Sequence, residues 1–396
     1  MGTTYHLKTA ANGGSDANNG LTSAAAKLTW TAGCALLAAG DTLRVGSGSY
    51  QGSIYINSSF AANGTSASPI TVLSTVKYGA LILPISPTAA GSGNYAGFEV
   101  RRDSWVIDGL EINGSQGYSG NTWIAGGTEW YIGAYLTGTN VKMQNCKVHD
   151  IGKSVSAAAQ GGAGIETDTF YGGSAQIVNL NWVYNVGSTA VQGGTVHGIY
   201  VASNNVNANG NLVHNCNSVG IHAWHTSYQD YFASNTIFRC NFGILVGASA
   251  GTNHDSRVFN NIVYDCLNSG IVEQGSIGTG NLYSNNNVTG SPTNWSLTNS
   301  THTSDVAGNP SFINYISSGG GNYHLQSASP CINIGLASLS GASALLIDLD
   351  GNTRPVGAQQ DLGAYELQIG GGATSPTSVT VGRLHPRKRH RTHYSR

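Results

Sequence analysis

Charge is scarce in this chain: only 9% of its 396 residues are Asp, Glu, Lys or Arg. A coiled coil or long-helix protein would need far more Glu, Lys, Arg and Leu, so that class is excluded. Long apolar runs are absent as well. The strongest candidate, residues 34–39, is bounded by glycines and falls far short of the roughly 20 residues that cross a bilayer. No charged-then-apolar leader precedes the first strand-like sequence at Thr4, which implies that any export uses another route or follows removal of a leader. What the chain has instead is 55 glycines with abundant Asn, Ser, Thr and Ala, and Val, Ile, Tyr and Trp at short intervals, so it is not a disordered polymer.

The net charge of -1 conceals an asymmetry. Arg383, Arg387, Lys388, Arg389, Arg391 and Arg396 fall in the last fourteen positions, and without them the body has 12 basic against 19 acidic residues. An acidic body repels nucleic acid, so only the tail could attract a polyanion. Residues 369–396, a Gly/Ser/Thr linker followed by this basic stretch, read as a solvated, disordered end that contributes little to folding.

Repetition decides the architecture. Residues 181–186 (NWVYNV), 211–216 (NLVHNC), 235–240 (NTIFRC) and 261–266 (NIVYDC) align, and 146–151 (CKVHDI) is an earlier copy. Each leads to a Gly-Ile pair: Gly164-Ile165, Gly198-Ile199, Gly220-Ile221, Gly243-Ile244 and Gly270-Ile271. A spacing of 24 to 35 residues, with β-branched and aromatic residues broken by Asn and Gly, excludes helical repeats and leaves a solenoid of short parallel strands. In such a coil the leading Asn stacks on the Asn of the next coil. Ile151, Val186, Cys216, Cys240 and Cys266 then fill the interior, the cysteines acting as small buried hydrophobes. Cys34, Cys146 and Cys331 are scattered without metal-ligand spacing. Residues 22–39 read as the one helical stretch, with Thr22 or Ser23 as cap and Gly40 as stop, placed to plug the open end of the solenoid.

The opening Tyr5 to Asp16, then Asn19-Gly20-Leu21, Gly40 to Leu43, Gly48-Ser49-Tyr50 and the rung Trp105 to Ile112, resembles the start of right-handed parallel β-helix proteins of the pectate-lyase-like superfamily. Asn322 to Leu325, Ser329 to Asn333, Asp350-Gly351, Arg354-Pro355 and Asp361 to Glu366 are similar to a closing module of secreted members. The resemblance implies an all-β, right-handed parallel β-helix with an N-terminal capping helix over residues 1–320, a closing module over 321–368, and the tail. It specifies fold better than activity, because the superfamily holds lyases, hydrolases, epimerases and non-catalytic adhesins or viral spikes.

Strand alternation locates the candidate chemistry. With each Ile of Gly-Ile pointing inward, the residues one and three places later point outward: Glu166 and Asp168, Tyr200 and Ala202, His222 and Trp224. Three consecutive rungs thus carry a carboxylate pair, a phenol, an imidazole and an indole on one face, with Glu166 and His222 about 10 Å apart. His197 and His225 rim this surface, Asp150, Lys153 and Asp230 lie in loops beside it, and the aromatic-rich residues 118–135, including Trp123 and Trp130, form a wall for stacking sugars.

A lyase acting on a uronic-acid polymer needs carboxylate neutralisation, a base and a proton donor. Tyr200, His222 and His197 suit the proton transfers, with Lys153, or a Ca²⁺ held by Glu166 and Asp168, as neutraliser. A hydrolase needs two carboxylates, and Glu166 and Asp168, about 7 Å apart on one strand face, fall in the inverting range. The surplus of His and Tyr favours the lyase. Apart from that Ca²⁺, no metal site and no cofactor is expected. The reading is therefore recognition and cleavage of a polysaccharide outside the cell or on a virion. Its competitor is a non-catalytic adhesin, fibre or virion component, trimeric if it is a viral spike.

Overall fold

A computed structural model describes residues 2–84, 96–119, 122–153, 161–188 and 194–368, with side chains 116–128 not described. The expectation for the 369–396 tail lies outside the described residues. Three parallel sheets of eleven, nine and nine strands run the length of the molecule. Each coil visits them in turn, as in Lys142–Gln144, Lys147–Ile151 and Gly162–Asp168. The fold is thus the expected parallel β-helix, and no helix among the described residues is long and apolar enough to cross a membrane.

Why these residues make coils is visible at the corners. Between the first and second sheets the chain turns on a single left-handed residue, Asn145, Leu180, Ser234, Asn260 or Asn285, with φ between 54° and 58°. Asn tolerates that conformation better than most residues. The next residue of four coils is the repeat Asn, and its side chain replaces the lost strand pairing. Asn211 Oδ1 accepts from Asn181 N at 2.9 Å, Asn235 Oδ1 from Asn211 N at 2.9 Å, and Asn261 Oδ1 from Asn235 N at 3.0 Å. Asn286 continues the ladder by accepting from Asn261 N, and Asp305 closes it by accepting from Asn286 N. Cys216, Cys240 and Cys266 are at most 2% exposed and stack inside, beside the columns Ile165, Ile199, Ile221, Ile244, Ile271 and Val148, Val183, Val213, Ile237, Val263.

The glycine of each Gly-Ile pair also faces inward. A Cβ on Gly198 would meet Gly220 O at 2.6 Å and Cys216 Sγ at 2.8 Å. Two consecutive inward residues mean that the residue before the glycine, His197 in this coil, projects on the same outer side as Tyr200.

The expected helix over 22–39 is corrected by the structure. Residues Ser23–Ala25 make one 3-10 turn, and the α-helix is only Trp30–Cys34. Lys27 instead bridges Leu7 in strand fashion, with Lys27 N donating to His6 O and Lys8 N to Lys27 O. Asp16 accepts from Leu28 N and Thr29 N, both at 2.9 Å, so helical bonding starts only after the Thr29 cap. Backbone pairing with the first strand outcompetes a continuous helix. The short helix still buries Cys34 against Leu7 and Leu43 at the end of the solenoid.

After the last coil the chain runs back along the outside. Phe312, Tyr323, Leu325, Leu349 and Leu362 pack on Leu180, Leu212, Phe238 and Ile262, covering the outer face of the second sheet, while Ala342 and Ala344 pack on Ala233 and Phe259 of the first.

Candidate active site on the third sheet

The outer face of the third sheet carries one continuous column. In register, Tyr55 pairs with Glu99, Glu99 with Tyr135, Tyr135 with Glu166, Glu166 with Tyr200, and Tyr200 with His222. Adjacent strands lie about 4.8 Å apart, so Glu166 and His222 flank Tyr200 across about 10 Å. The strands Gly162–Asp168, Val196–Ala202 and Val219–Ala223 hold these side chains on rigid backbone.

Three rings meet at the centre. His197 Nε2 and His222 Nδ1 are 3.2 Å apart, one donating to the other, and the His197 ring stacks on Tyr200 at 4.8 Å between centroids. His222 lies 5.2 Å from Tyr200 and 5.4 Å from Trp224, and His225 lies 5.8 Å from Tyr200. Both central histidines are buried, at 5% and 9% exposure, and His197 Nδ1 and His222 Nε2 have no hydrogen-bond partner among the described residues. Leaving such atoms unpaired costs about 1–3 kcal/mol each, which is the kind of local expense that proteins tolerate at functional sites.

Burial sets the protonation of the cluster. It lowers the His197 pKa to about 3, and lowers His222 well below the ordinary imidazole range, with His197 and His225 adding to the effect. Both imidazoles are therefore neutral near pH 7. Burial, followed by the charge of Asp168, raises the Glu166 pKa to about 8, so its carboxyl is protonated there. Burial, then Glu166 and Asp168, push the Tyr200 phenol upward. Tyr135, raised by burial and by the same two carboxyls, hydrogen-bonds Asp168. The cluster thus combines a neutral acid, two neutral bases and phenols, a pairing of opposed pKa shifts typical of acid–base chemistry.

No family model matches the chain and no curated protein matches it. Among solved structures, pectate lyase Pel9A superposes with a TM-score of 0.58 at 15% identity, covering 93% of this chain and 97% of its own. The likeness shows the fold, a right-handed parallel β-helix. A complex of XylC with xylose matches with TM-score 0.54 and 11% identity over 77% of this chain and 68% of that one, and a rhamnogalacturonan lyase with 0.52 and 17% over 72% and 74%.

On this β-helix scaffold the residues expected from sequence fall in different places. Glu166, Tyr200, His222 and His197 are together, and Asp168 lies two residues along the Glu166 strand, accepting from Phe170 N at 2.6 Å. His225 is exposed, with Nδ1 3.2 Å from Ser249 Oγ. The Trp224 ring lies against the next coils, where a Cβ on Gly247 or Gly275 would meet it at 2.7 Å, so one face is already covered. Trp130 does not form a wall. It is 4% exposed and packs over Gly97 in the core, in the connection between the strands Thr122–Glu129 and Ile132–Leu136. The Trp123 side chain lies outside the described residues. Lys153 is buried with its Nζ donating to Gly187 O, a poor placement for neutralising a substrate. Asp230 belongs to the first-sheet side, fully buried and bonded to Ser227 and Val206 N. Asp150 pairs with His149 on the second sheet.

Glu166 and Asp168 together bring two carboxyls to a Ca²⁺ site, the remaining oxygens having to come from elsewhere. Two carboxyls fall short of the six to eight oxygens this ion takes, and no group of three or more His, Cys, Asp or Glu gathers for a metal among the described residues.

Sequence reading missed the basic side of the face. Arg101 bonds Glu99 through Nε and its guanidinium lies 4.0 Å from the Tyr171 ring centroid. Tyr171 and Phe170, 45% and 77% exposed, meet edge to face in the turn after Asp168. The signal was present: alternation from buried Phe98 puts Glu99 and Arg101 outward, but that coil lacks the Asn and Gly-Ile repeat that draws attention to the others.

Proposed function

We propose that the protein recognises and cleaves a polysaccharide outside the cell or on a virion, by β-elimination at a uronate unit. The observation that carries this reading is the in-register column Glu166, Tyr200 and His222 with His197 against both rings. Elimination needs a base for the proton beside the carboxylate, a donor to the leaving oxygen and a cation for the carboxylate. A neutral imidazole with an unpartnered nitrogen serves as base, the protonated Glu166 or the Tyr200 phenol as donor, and Arg101 is the cation on this face. Tyr171 and Phe170 offer ring faces on which sugars stack. The names of the structural neighbours, two lyases and a xylose complex, support a carbohydrate ligand for this fold.

Hydrolysis is the second reading, favoured by one feature: the raised Glu166 beside Asp168 is an acid and carboxylate pair on one strand. A non-catalytic adhesin would use the same surface for binding alone. Incubation with a panel of uronate-containing and neutral polysaccharides separates the three. Elimination generates ultraviolet-absorbing unsaturated ends together with reducing ends, hydrolysis generates reducing ends alone, and an adhesin generates neither while retaining the polymer. Reducing ends without unsaturated ends would reject the elimination mechanism.

A further inference from the structure

At the start of the solenoid a cavity of about 560 Å³ opens beside the helix Trp30–Cys34, over the strands Gly48–Gln51 and Ile54–Ile56. These are the end strands of the second and third sheets, so no further coil covers them. The rings of Trp30, Tyr50, Tyr55 and Phe60 contribute to the lining, and hydroxyls and amides of Thr31, Ser49, Gln51, Ser53 and Asn57 complete it. No Asp, Glu, Lys, Arg or His is among the described residues that line it. The Trp30 indole N–H is buried without an acceptor among the described residues.

We infer that this cavity binds a neutral sugar unit of the same polymer that crosses the third sheet. Aromatic faces with neutral hydroxyl and amide groups suit an uncharged saccharide, whereas a uronate would lose its hydration without gaining a cation. Tyr55 links the cavity to the candidate site, because it both lines the cavity and begins the in-register column to Glu99, Tyr135 and Glu166. Three strand spacings separate Tyr55 from Glu166, about 14 Å, the reach of a short oligosaccharide. The substrate class is then a heteropolysaccharide with a neutral sugar a few units from the acidic one that is cleaved. That last step rests on the polysaccharide reading above; the ligand class of the cavity does not.

The test uses the full chain with its seven tryptophans ¹⁵N-labelled, the Trp30 indole signal being assigned by its loss in Trp30→Phe. Xylotetraose and cellotetraose serve as neutral probes and tetragalacturonate as the acidic one. At least one neutral probe is expected to shift the Trp30 signal saturably, with tetragalacturonate leaving it in place. Asn57→Ala combined with Phe60→Ala should weaken that binding by about tenfold or more, while the other six indole signals report an intact fold. No Trp30 shift with either neutral probe, an equal shift with the acidic one, or a shift that survives the double substitution would overturn the assignment. Glu166→Gln should leave the Trp30 response intact. Failure of catalysis and failure of the cavity are thereby read separately.

Discussion

Replacing Glu166 by Gln should make the protein more stable at alkaline pH while making it a worse enzyme. Burial and the Asp168 charge raise the Glu166 pKa from 4.5 to about 8 in the folded chain. A carboxyl raised on folding binds its proton more tightly in the native state. Its favourable contribution is complete below the unfolded pKa and is lost as pH rises from about 4.5 to about 8. One pH unit corresponds to about 1.4 kcal/mol, and allowing for relaxation around the ionised group the loss is roughly 2–4 kcal/mol by pH 9. Gln is isosteric and has no proton to lose. At an unfolding entropy of about 2 cal/mol/K per residue, a cooperative body of this length moves about 1 °C per kcal/mol, so the variant should melt about 2–4 °C above the parent at pH 9 and level with it near pH 4. Calorimetric scans at a fixed rate across this range measure the difference. If Glu166 is the proton donor, turnover falls by about 10²- to 10⁴-fold in the variant, and the parent itself loses activity above pH 8. A melting difference that does not change with pH, or one that grows toward acid, would refute the assignment of Glu166 as a buried neutral acid.

Tyr200→Phe and His222→Ala should each lower cleavage of the responsive polysaccharide by about 10²- to 10⁴-fold, measured as initial rates, and retention of activity in both would move the cleft elsewhere. His214→Phe is the counterpart on the second sheet: it strips the acceptor from Trp182 Nε1, 2.9 Å away, and should cost about 1–3 kcal/mol in denaturation experiments while leaving turnover unchanged. Trp224→Ala should weaken polysaccharide binding by about fivefold in calorimetric titration, from lost ring contact. Asn235→Ala removes an acceptor for Asn211 N and Nδ2 and donors to Ala208 O and Asn261 Oδ1, and should lower stability by about 3–5 kcal/mol, seen as a lower melting temperature.

What could be read from the sequence is what repeats. Asn at the corner, Cys or Val five places after it and Gly-Ile at the next strand recur because each coil solves the same packing problem, and their spacing put Glu166, Tyr200 and His222 on neighbouring strands without any structure. What could not be read depends on single, non-repeating contacts. The helix expected over 22–39 is shortened by one bridge from Lys27 to Leu7 and by Asp16, which accepts from the backbone of Leu28 and Thr29 ahead of the Thr29 cap. Trp130 sits in a stretch rich in exposed-looking aromatics, yet packing over Gly97 turns it into core. Arg101 belongs to a coil without the repeat signature. The N-terminal cavity arises where the repeat has not yet begun.

A His and Tyr column is not by itself evidence of a site, and the molecule contains its own comparison. On the second sheet His149, Tyr184, His214 and Phe238 also stack across adjacent coils, with centroids 4.6 to 5.2 Å apart. His214 there is as neutral as His197, its pKa lowered to about 3 by burial. The two columns differ in what surrounds them. The second-sheet imidazole receives the Trp182 N–H and lies beneath Tyr323 of the returning chain, and His149 is held between Glu111 and Asp150. Its rings are held by packing, although His214 Nδ1, like His197 Nδ1 and His222 Nε2, has no hydrogen-bond partner among the described residues. The third-sheet column instead couples two imidazoles to each other and sets beside them a carboxyl whose proton is retained to about pH 8. Stacked rings explain stability on both faces, but the third sheet sets a carboxyl that is protonated near pH 7 beside two neutral imidazoles, and that addition is what makes it the face on which chemistry is proposed.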